Sequence, residues 1–169
     1  MAIILKKICM IGDFSVGKTS LVSRYVQQSF SDKYLTTVGV KIDTKLVTLP
    51  DQRQAKLSLW DIAGSDTLTS ASMSYLRGAA GYLLVVDGTR RPTWDAALQL
   101  RDAVTKQIGA KPNILLLNKA DLTEQWEVDD ALVSQEREQG STILKSSAKL
   151  GMGVEDAFTL LTLRMLDAN

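Results

Sequence analysis

The sequence predicts a doubly wound α/β fold: a mostly parallel six-stranded sheet with one antiparallel edge strand and helices on both faces. Three observations carry this prediction. Residues 8–11, 82–86 and 114–117 are near-continuous apolar runs, the pattern of central strands buried on both faces. The segments between them place apolar residues at steps of three and four, as amphipathic helices do. The first run also passes through a glycine-bearing loop directly into a helical segment.

The elements follow in chain order. The strand at residues 8–11 holds the single cysteine, Cys9, whose apolar neighbours mark it as a small buried hydrophobe and not a reactive thiol. Residues 20–26 read as the first helix. Residues 45–60 read as a hairpin: Ala55, Leu57 and Leu59 alternate with Lys56 and Ser58, and Pro50-Asp51 supplies the turn. This hairpin is the antiparallel edge pair. Trp94, Ala97, Leu100, Val104 and Ile108 form one helical stripe, with Trp94 assigned to the core or a partner surface and not to a cofactor. Thr142-Ile143-Leu144 is a further apolar stretch, and Val154, Phe158, Leu161 and Met165 make the last stripe. No repeat, linker or low-complexity segment interrupts the chain, so residues 1–169 read as one domain.

Composition bounds the function. A chain of 169 residues is long enough for a full hydrophobic core. Lys plus Arg is 20 against 19 for Asp plus Glu, and this balance argues against broad electrostatic binding to nucleic acid or an anionic membrane. The absence of histidine removes imidazole general bases and imidazole metal ligands. The apolar start is short, runs into Lys6-Lys7 and lacks a cleavage-site pattern, so it is not read as a signal peptide. No segment has the length of a membrane span. With Ala2 at the start and no cysteine near the end, the chain shows no lipid-anchor site. The expectation is a cytoplasmic protein, peripheral at membranes only through a partner or a C-terminal tail missing from this chain.

Residues 12–19 match G-x-x-x-x-G-K-[ST], with a strand before and a helix after. Glycines let the backbone curl so that successive N–H groups face phosphate oxygens, and the helix N-terminus adds partial positive charge. Asp13, Phe14, Ser15, Val16, Gly17, Lys18, Thr19 and Ser20 are therefore expected around the phosphates. Lys18 would neutralise the β- and γ-phosphates, and the Thr19 hydroxyl would ligate Mg²⁺.

The run at residues 114–117 ends in Asn118-Lys119-Ala120-Asp121. A carboxylate at a base edge accepts from both N1–H and the 2-amino group of guanine. Adenine lacks that pair of donors and would leave the charge unpaired, which is a strong rejection. The Lys119 stem can cover the base face. Ser147-Ala148-Lys149 can add a backbone N–H for the guanine O6. Alone it reads as an ordinary loop; beside Asn118, Lys119 and Asp121, downstream of a phosphate loop, it points to guanine.

On these residues the sequence resembles the Ras-like small GTPases, most closely the Rab branch. The likeness spans residues 8–165 and includes Phe30, Tyr34, Thr37, Trp60-Asp61, Ala63-Gly64, Thr37-Val38-Gly39-Val40 and Tyr75-Leu76-Arg77-Gly78-Ala79. Gly153 to Phe158 resembles the start of the family's last helix. The resemblance implies a GTP/GDP switch. Phe30 would lie against the guanine, and Tyr34 belongs to the nucleotide set. Thr37 would ligate Mg²⁺ and touch the γ-phosphate only in the GTP state. Asp61 would hold the magnesium through water, and the Gly64 N–H would contact the γ-phosphate. Loss of that phosphate would free two switch loops, about residues 30–40 and 61–73. Effectors, a GTPase-activating protein and an exchange factor would read these loops. Alone, Thr37 reads as a loop threonine, Asp61 as a strand-end cap and Phe30 as a packing aromatic; their joint placement around one site favours function.

Two residues depart from the family pattern. Where the family has a glutamine that orients the attacking water, this chain has Ser65-Asp66. Serine is too short for that reach, and the Asp66 carboxylate would be repelled by the γ-phosphate. Phe14 stands where most relatives have a small residue, and its ring would crowd the γ-phosphate and the path of an arginine finger, a group worth about 10³–10⁵ in rate. The catalytic set is thus Lys18, Thr37, Gly64 and Ser65, with very slow unaided hydrolysis expected. Two rival readings are a module that holds GTP or GDP without cycling, and a nucleotide kinase. The second leaves Thr37 and the Asn118–Asp121 motif unexplained and would need a lid that this chain lacks.

Overall fold

The computed structural model describes residues 2–26, 39–65 and 68–168, with the backbone alone for residues 33–35. Its sheet runs in the order β2-β3-β4-β1-β5-β6-β7. The strands are β1 (Ile4–Gly12), β2 (Lys33–Leu35), β3 (Val40–Thr48), β4 (Gln54–Ile62), β5 (Gly81–Asp87), β6 (Asn113–Asn118) and β7 (Ile143–Lys145). Strands β4, β1, β5, β6 and β7 are mutually parallel, and β3 runs antiparallel to β4. These are the six expected strands. The three-residue β2 adds a seventh strand outside β3, antiparallel to β3, so that β3 is not the edge of the sheet. Strand β2 is too short to leave a periodic signal in the sequence.

The helices are α1 (Lys18–Val26), α2 (Ser70–Tyr75), α3 (Arg91–Ile108), α4 (Asp130–Glu138) and α5 (Val154–Asp167). Helices α1 and α5 cover one face of the sheet. Their Leu21, Val22, Tyr25, Phe158 and Leu161 pack on Ile8, Met10, Leu57 and Leu59. The rings of Tyr25 and Phe158 stack at 4.0 Å between centroids, which fixes α1 against α5. The opposite face is covered by α3 and α4, and Trp94, Ala97, Leu100 and Val104 of the predicted stripe are all buried there. Trp94 is therefore core. Cys9 is fully buried on the same face, as its neighbours predict. Among the described residues, no helix is long and apolar enough to cross a membrane.

The β3–β4 hairpin extends beyond the predicted limits at both ends, to Val40 and to Ile62. Its turn closes with Gln52 N–H donating to Leu49 O at 2.9 Å and Leu49 N–H donating to Arg53 O at 2.8 Å. Gln52 sits at φ +75 with its side chain exposed. Left-handed backbone costs a residue with a Cβ about 1–2 kcal/mol, partly offset in glycine by its greater unfolded-state entropy. Gln52→Gly is expected to raise the melting temperature by about 1–3 °C, corresponding to roughly 0.5–1 kcal/mol, in a thermal unfolding scan. A lowered melting temperature would contradict the strain.

Candidate functional site

Four neighbouring strands end on one edge of the sheet. There β4 delivers Asp61, β1 delivers Gly12, β5 delivers Asp87 and β6 delivers Asn118. This is the carboxyl edge at which open α/β sheets bind ligands. Phe14, Gly17, Lys18, Thr19, Asp61 and Gly64 line a cleft of about 300 Å³ there. Gly12 has no room for a side chain: a Cβ would lie 2.5 Å from Val85 O of the adjacent strand.

The loop after β1 is held from behind by three side chains. Arg90 Nη2 donates to Phe14 O at 2.8 Å, Lys119 Nζ to Ser15 O at 3.2 Å, and Asn118 Nδ2 to Val16 O at 3.0 Å. None of the three lines the cleft. Every described peptide bond is trans, so each carbonyl and the following N–H point in opposite directions. Carbonyls drawn outward turn the N–H groups of Ser15, Val16 and Gly17 toward the cleft. Among the described residues these N–H groups have no acceptor. Ser15 reaches this conformation at φ +59 and Gly17 at φ +105. The first turn of α1 follows, with its own unpaired donors. Val16 is buried in the core and anchors the loop, while Ser15, Thr19 and Ser20 are exposed. Asp13 caps the loop by accepting from Phe14 N–H at 2.7 Å.

Lys18 is buried and donates to Gly12 O at 3.2 Å and Asp13 O at 3.1 Å. Burial lowers its pKa, opposed by the charges of Asp61 and Asp13. The Thr19 hydroxyl donates to Asp61 Oδ2. Asp61 is itself buried, and burial raises its pKa against the Thr19 bond and the Lys18 charge. Gly64 lies across the loop: a Cβ there would be 2.8 Å from Asp13 O, Lys18 Nζ and Phe14 Cα. Ser65 N–H donates to Gly12 O at 3.2 Å. The Phe14 ring is 71 % exposed, so it stands at the rim of the cleft and not within it.

The strand β6 end is tied to the loop after β7. Asn118 is buried and its Oδ1 accepts from Ser146 Oγ and Ala148 N–H, both at 3.2 Å. Asp121 Oδ1 accepts from Ser147 Oγ at 2.7 Å. Of the three N–H groups in Ser147-Ala148-Lys149, that of Ser147 goes to Met152 O and that of Ala148 to Asn118 Oδ1. The Lys149 N–H has no acceptor among the described residues.

Sequence reasoning missed Asp87, Arg90 and Ser146. Asp87 is 1 % exposed and accepts from Thr89 N–H and Oγ1, Arg90 Nε and Lys119 Nζ. Burial pushes its carboxyl up, but the bonds from Thr89, Lys119 and Arg90 outweigh burial and hold its pKa down at about 2. It is ionised at neutral pH and binds two cations that both grip the loop. The available signal was an acid closing an apolar run at the carboxyl edge. Phe30, Thr37 and Asp66 lie outside the described residues, and of Tyr34 only the backbone, in β2, is described.

Residues 7–167 match the sequence model of the Ras family. The chain belongs to the Ras family. As a Ras-family protein it is a GTP-binding switch of the Ras superfamily, whose members bind GTP or GDP with Mg²⁺, hydrolyse GTP and meet regulators and effectors. The residues present suit both groups. Three cleft-facing N–H groups, a helix N-terminus and a buried ammonium form a receptor for an anion with several oxygens. The Thr19 hydroxyl and Asp61 carboxylate are hard oxygen donors, and magnesium takes few protein oxygens beside those of phosphates.

Proposed function

We propose that this Ras-family chain is a guanine-specific switch of the Rab-like type, one G domain over residues 1–169, with slow unaided GTP hydrolysis. The observation that carries the reading is the grip of Asn118 and Lys119 on the carbonyls of Val16 and Ser15. It places the base-reading motif against the phosphate loop, so one nucleotide could reach both. Asp121 would accept from the guanine N1–H and 2-amino groups, with Ser147 Oγ orienting its carboxylate. The free N–H of Lys149 is the donor suited to O6, and the stem of Lys119 would cover the base, with Phe30 on its edge.

The N–H groups of residues 15–17 would hold the phosphates, and Lys18 would leave its two carbonyl partners to neutralise the β,γ-bridge. Thr19, Asp61 and Thr37 would hold Mg²⁺, which would supply positive charge to neutralise the phosphate oxygens. The close approach of Gly64 to the loop supports an N–H contact with the γ-phosphate. Effectors would read residues 30–40 and 61–77. The partly buried, tilted ring pair of Trp60 and Tyr75, 6.2 Å apart, supports this as a contact surface.

Hydrolysis requires a water placed in line with the γ-phosphorus. Ser65 is anchored to Gly12 O by its backbone and carries one hydroxymethyl group, too short to orient that water. Phe14 at the rim would obstruct an inserted arginine. Single-turnover hydrolysis should therefore be slow, and Ser65→Gln should accelerate it about tenfold or more, the scale on which placing a reacting group matters. If Phe14 dominates, only the double change with Phe14→Gly will accelerate. Hydrolysis by the unmodified chain as fast as in glutamine-bearing relatives would sink the reading of Ser65. Bound nucleotide that neither exchanges nor turns over would favour a non-cycling module, which Ser65 and Phe14 also suit.

A further inference from the structure

Two of the three carbonyl grips on the phosphate loop come from the base-reading motif. The third comes from Arg90, which lies outside both the phosphate loop and the base-reading motifs. We propose that Arg90 is a positioning residue: it holds the Phe14 peptide so that the Ser15 N–H faces the phosphates of the bound nucleotide. This rests on the nucleotide reading above and adds to it a residue of the α3 start.

The geometry is specific. Arg90 Nε donates to Asp87 Oδ2 at 2.9 Å while Nη2 of the same guanidinium donates to Phe14 O at 2.8 Å. A planar fork can hold a carboxylate and a carbonyl at once; a lysine ammonium at the same place has neither the span nor the fixed directions. The side chain starts from a locked backbone. Arg90 N–H donates to Asp87 O at 2.9 Å, and Arg90 O accepts from Thr93 Oγ1 at 2.7 Å. Its carboxylate partner is buried and fixed by Thr89 from a second side.

The loop needs such a hold. The Phe14 side chain gives no anchorage, since its ring is 71 % exposed. Ser15 sits at φ +59, a conformation disfavoured for a residue with a Cβ. The Phe14 carbonyl and the Ser15 N–H belong to one peptide plane. Releasing the carbonyl frees that plane to rotate and removes one donor from the phosphate receptor. Asp87 also pairs with Lys119 at 2.9 Å, so a single carboxylate aligns the cations on Phe14 O and Ser15 O.

The test uses the full chain loaded with a fluorescent methylanthraniloyl derivative of GDP, and measures its dissociation rate beside the ³¹P spectrum of bound GDP. Arg90→Ala should release the nucleotide roughly ten- to 150-fold faster, the span of one lost charge-assisted hydrogen bond, and should move the phosphate resonances. Arg90→Lys should lie between Arg90→Ala and the parent, and remains informative if Arg90→Ala does not fold. Arg91→Ala is the control: among the described residues its guanidinium makes one exposed 3.6 Å pair, with Asp95, and it should match the parent. Release within twofold of the parent in both Arg90 variants overturns the proposal. So does faster release with unmoved ³¹P resonances, which would mean general loosening. A parent chain that retains no guanine nucleotide overturns the functional reading and this inference together.

Discussion

Asp121→Asn is expected to exchange guanine for xanthine as the preferred base. The carboxylate would accept from two guanine donors, N1–H and the 2-amino group. An amide offers one acceptor and one donor. Facing guanine, its NH₂ would meet the 2-amino group, donor against donor. Xanthine keeps N1–H but carries a carbonyl at C2, so the amide matches it in both positions. The frame that aims the side chain, including the 2.7 Å bond from Ser147 Oγ, can also be made to an amide oxygen. GDP affinity should fall about 10⁴-fold, the scale on which a site built for specific hydrogen bonds rejects a ligand that leaves them unmade. XDP affinity should rise by a comparable factor. Competition of GDP and XDP against a fluorescent nucleotide measures both. A variant that still prefers GDP would refute the role given to Asp121, provided its melting temperature shows it folded.

Gly17→Ala should damage both the site and the fold. Gly17 sits at φ +105, and a Cβ there would lie 2.2 Å from Asn118 Nδ2. The left-handed backbone alone costs about 1–2 kcal/mol. The clash adds the displacement of Asn118, a buried amide that joins Val16 O, Ser146 Oγ and Ala148 N–H. Stranding such buried polar groups costs about 1–3 kcal/mol. Together the loss is roughly 2–5 kcal/mol, or about 10 °C in melting temperature for a chain of this size. Nucleotide retention should collapse with it, because the Val16 carbonyl loses its anchor and the Gly17 N–H its aim. Gly140→Ala separates the two causes. Gly140 has φ +99 but nothing within 4 Å of a Cβ, so it should lose the conformational cost alone and keep nucleotide affinity. Equal behaviour of the two variants would show that the Asn118 collision is relieved at no cost.

The legible parts of the molecule were those whose physical cause is local. A strand buried on both faces must be apolar throughout, so β1, β5 and β6 are visible as runs. A helix facing one core must be apolar every third or fourth residue, so the Trp94 and Val154 stripes are visible too. The phosphate loop is legible because its glycines, lysine and threonine act within eight consecutive positions. Arg90 and its grip on Phe14 were not legible. They are separated by 76 residues and meet only because β1 and β5 are neighbours in the sheet. Ser146 escaped for the same reason: its value lies in Asn118, on the adjacent strand. The Phe14 ring lies exposed at the rim of the cleft, a placement the motif alone does not give: a residue's place in a motif fixes its Cα, while its rotamer follows from the room around it.

The burial of Cys9 has a practical consequence. Its thiol is fully enclosed, lies 3.7 Å from Tyr75 O and has its pKa pushed up to about 12. At neutral pH about one molecule in 10⁵ would carry the thiolate that alkylating reagents attack. With no other cysteine in the chain, the native surface is chemically silent toward maleimides and other thiol-directed labels. A dye or spin label introduced through one added surface cysteine would report from that position alone, without removing any native residue.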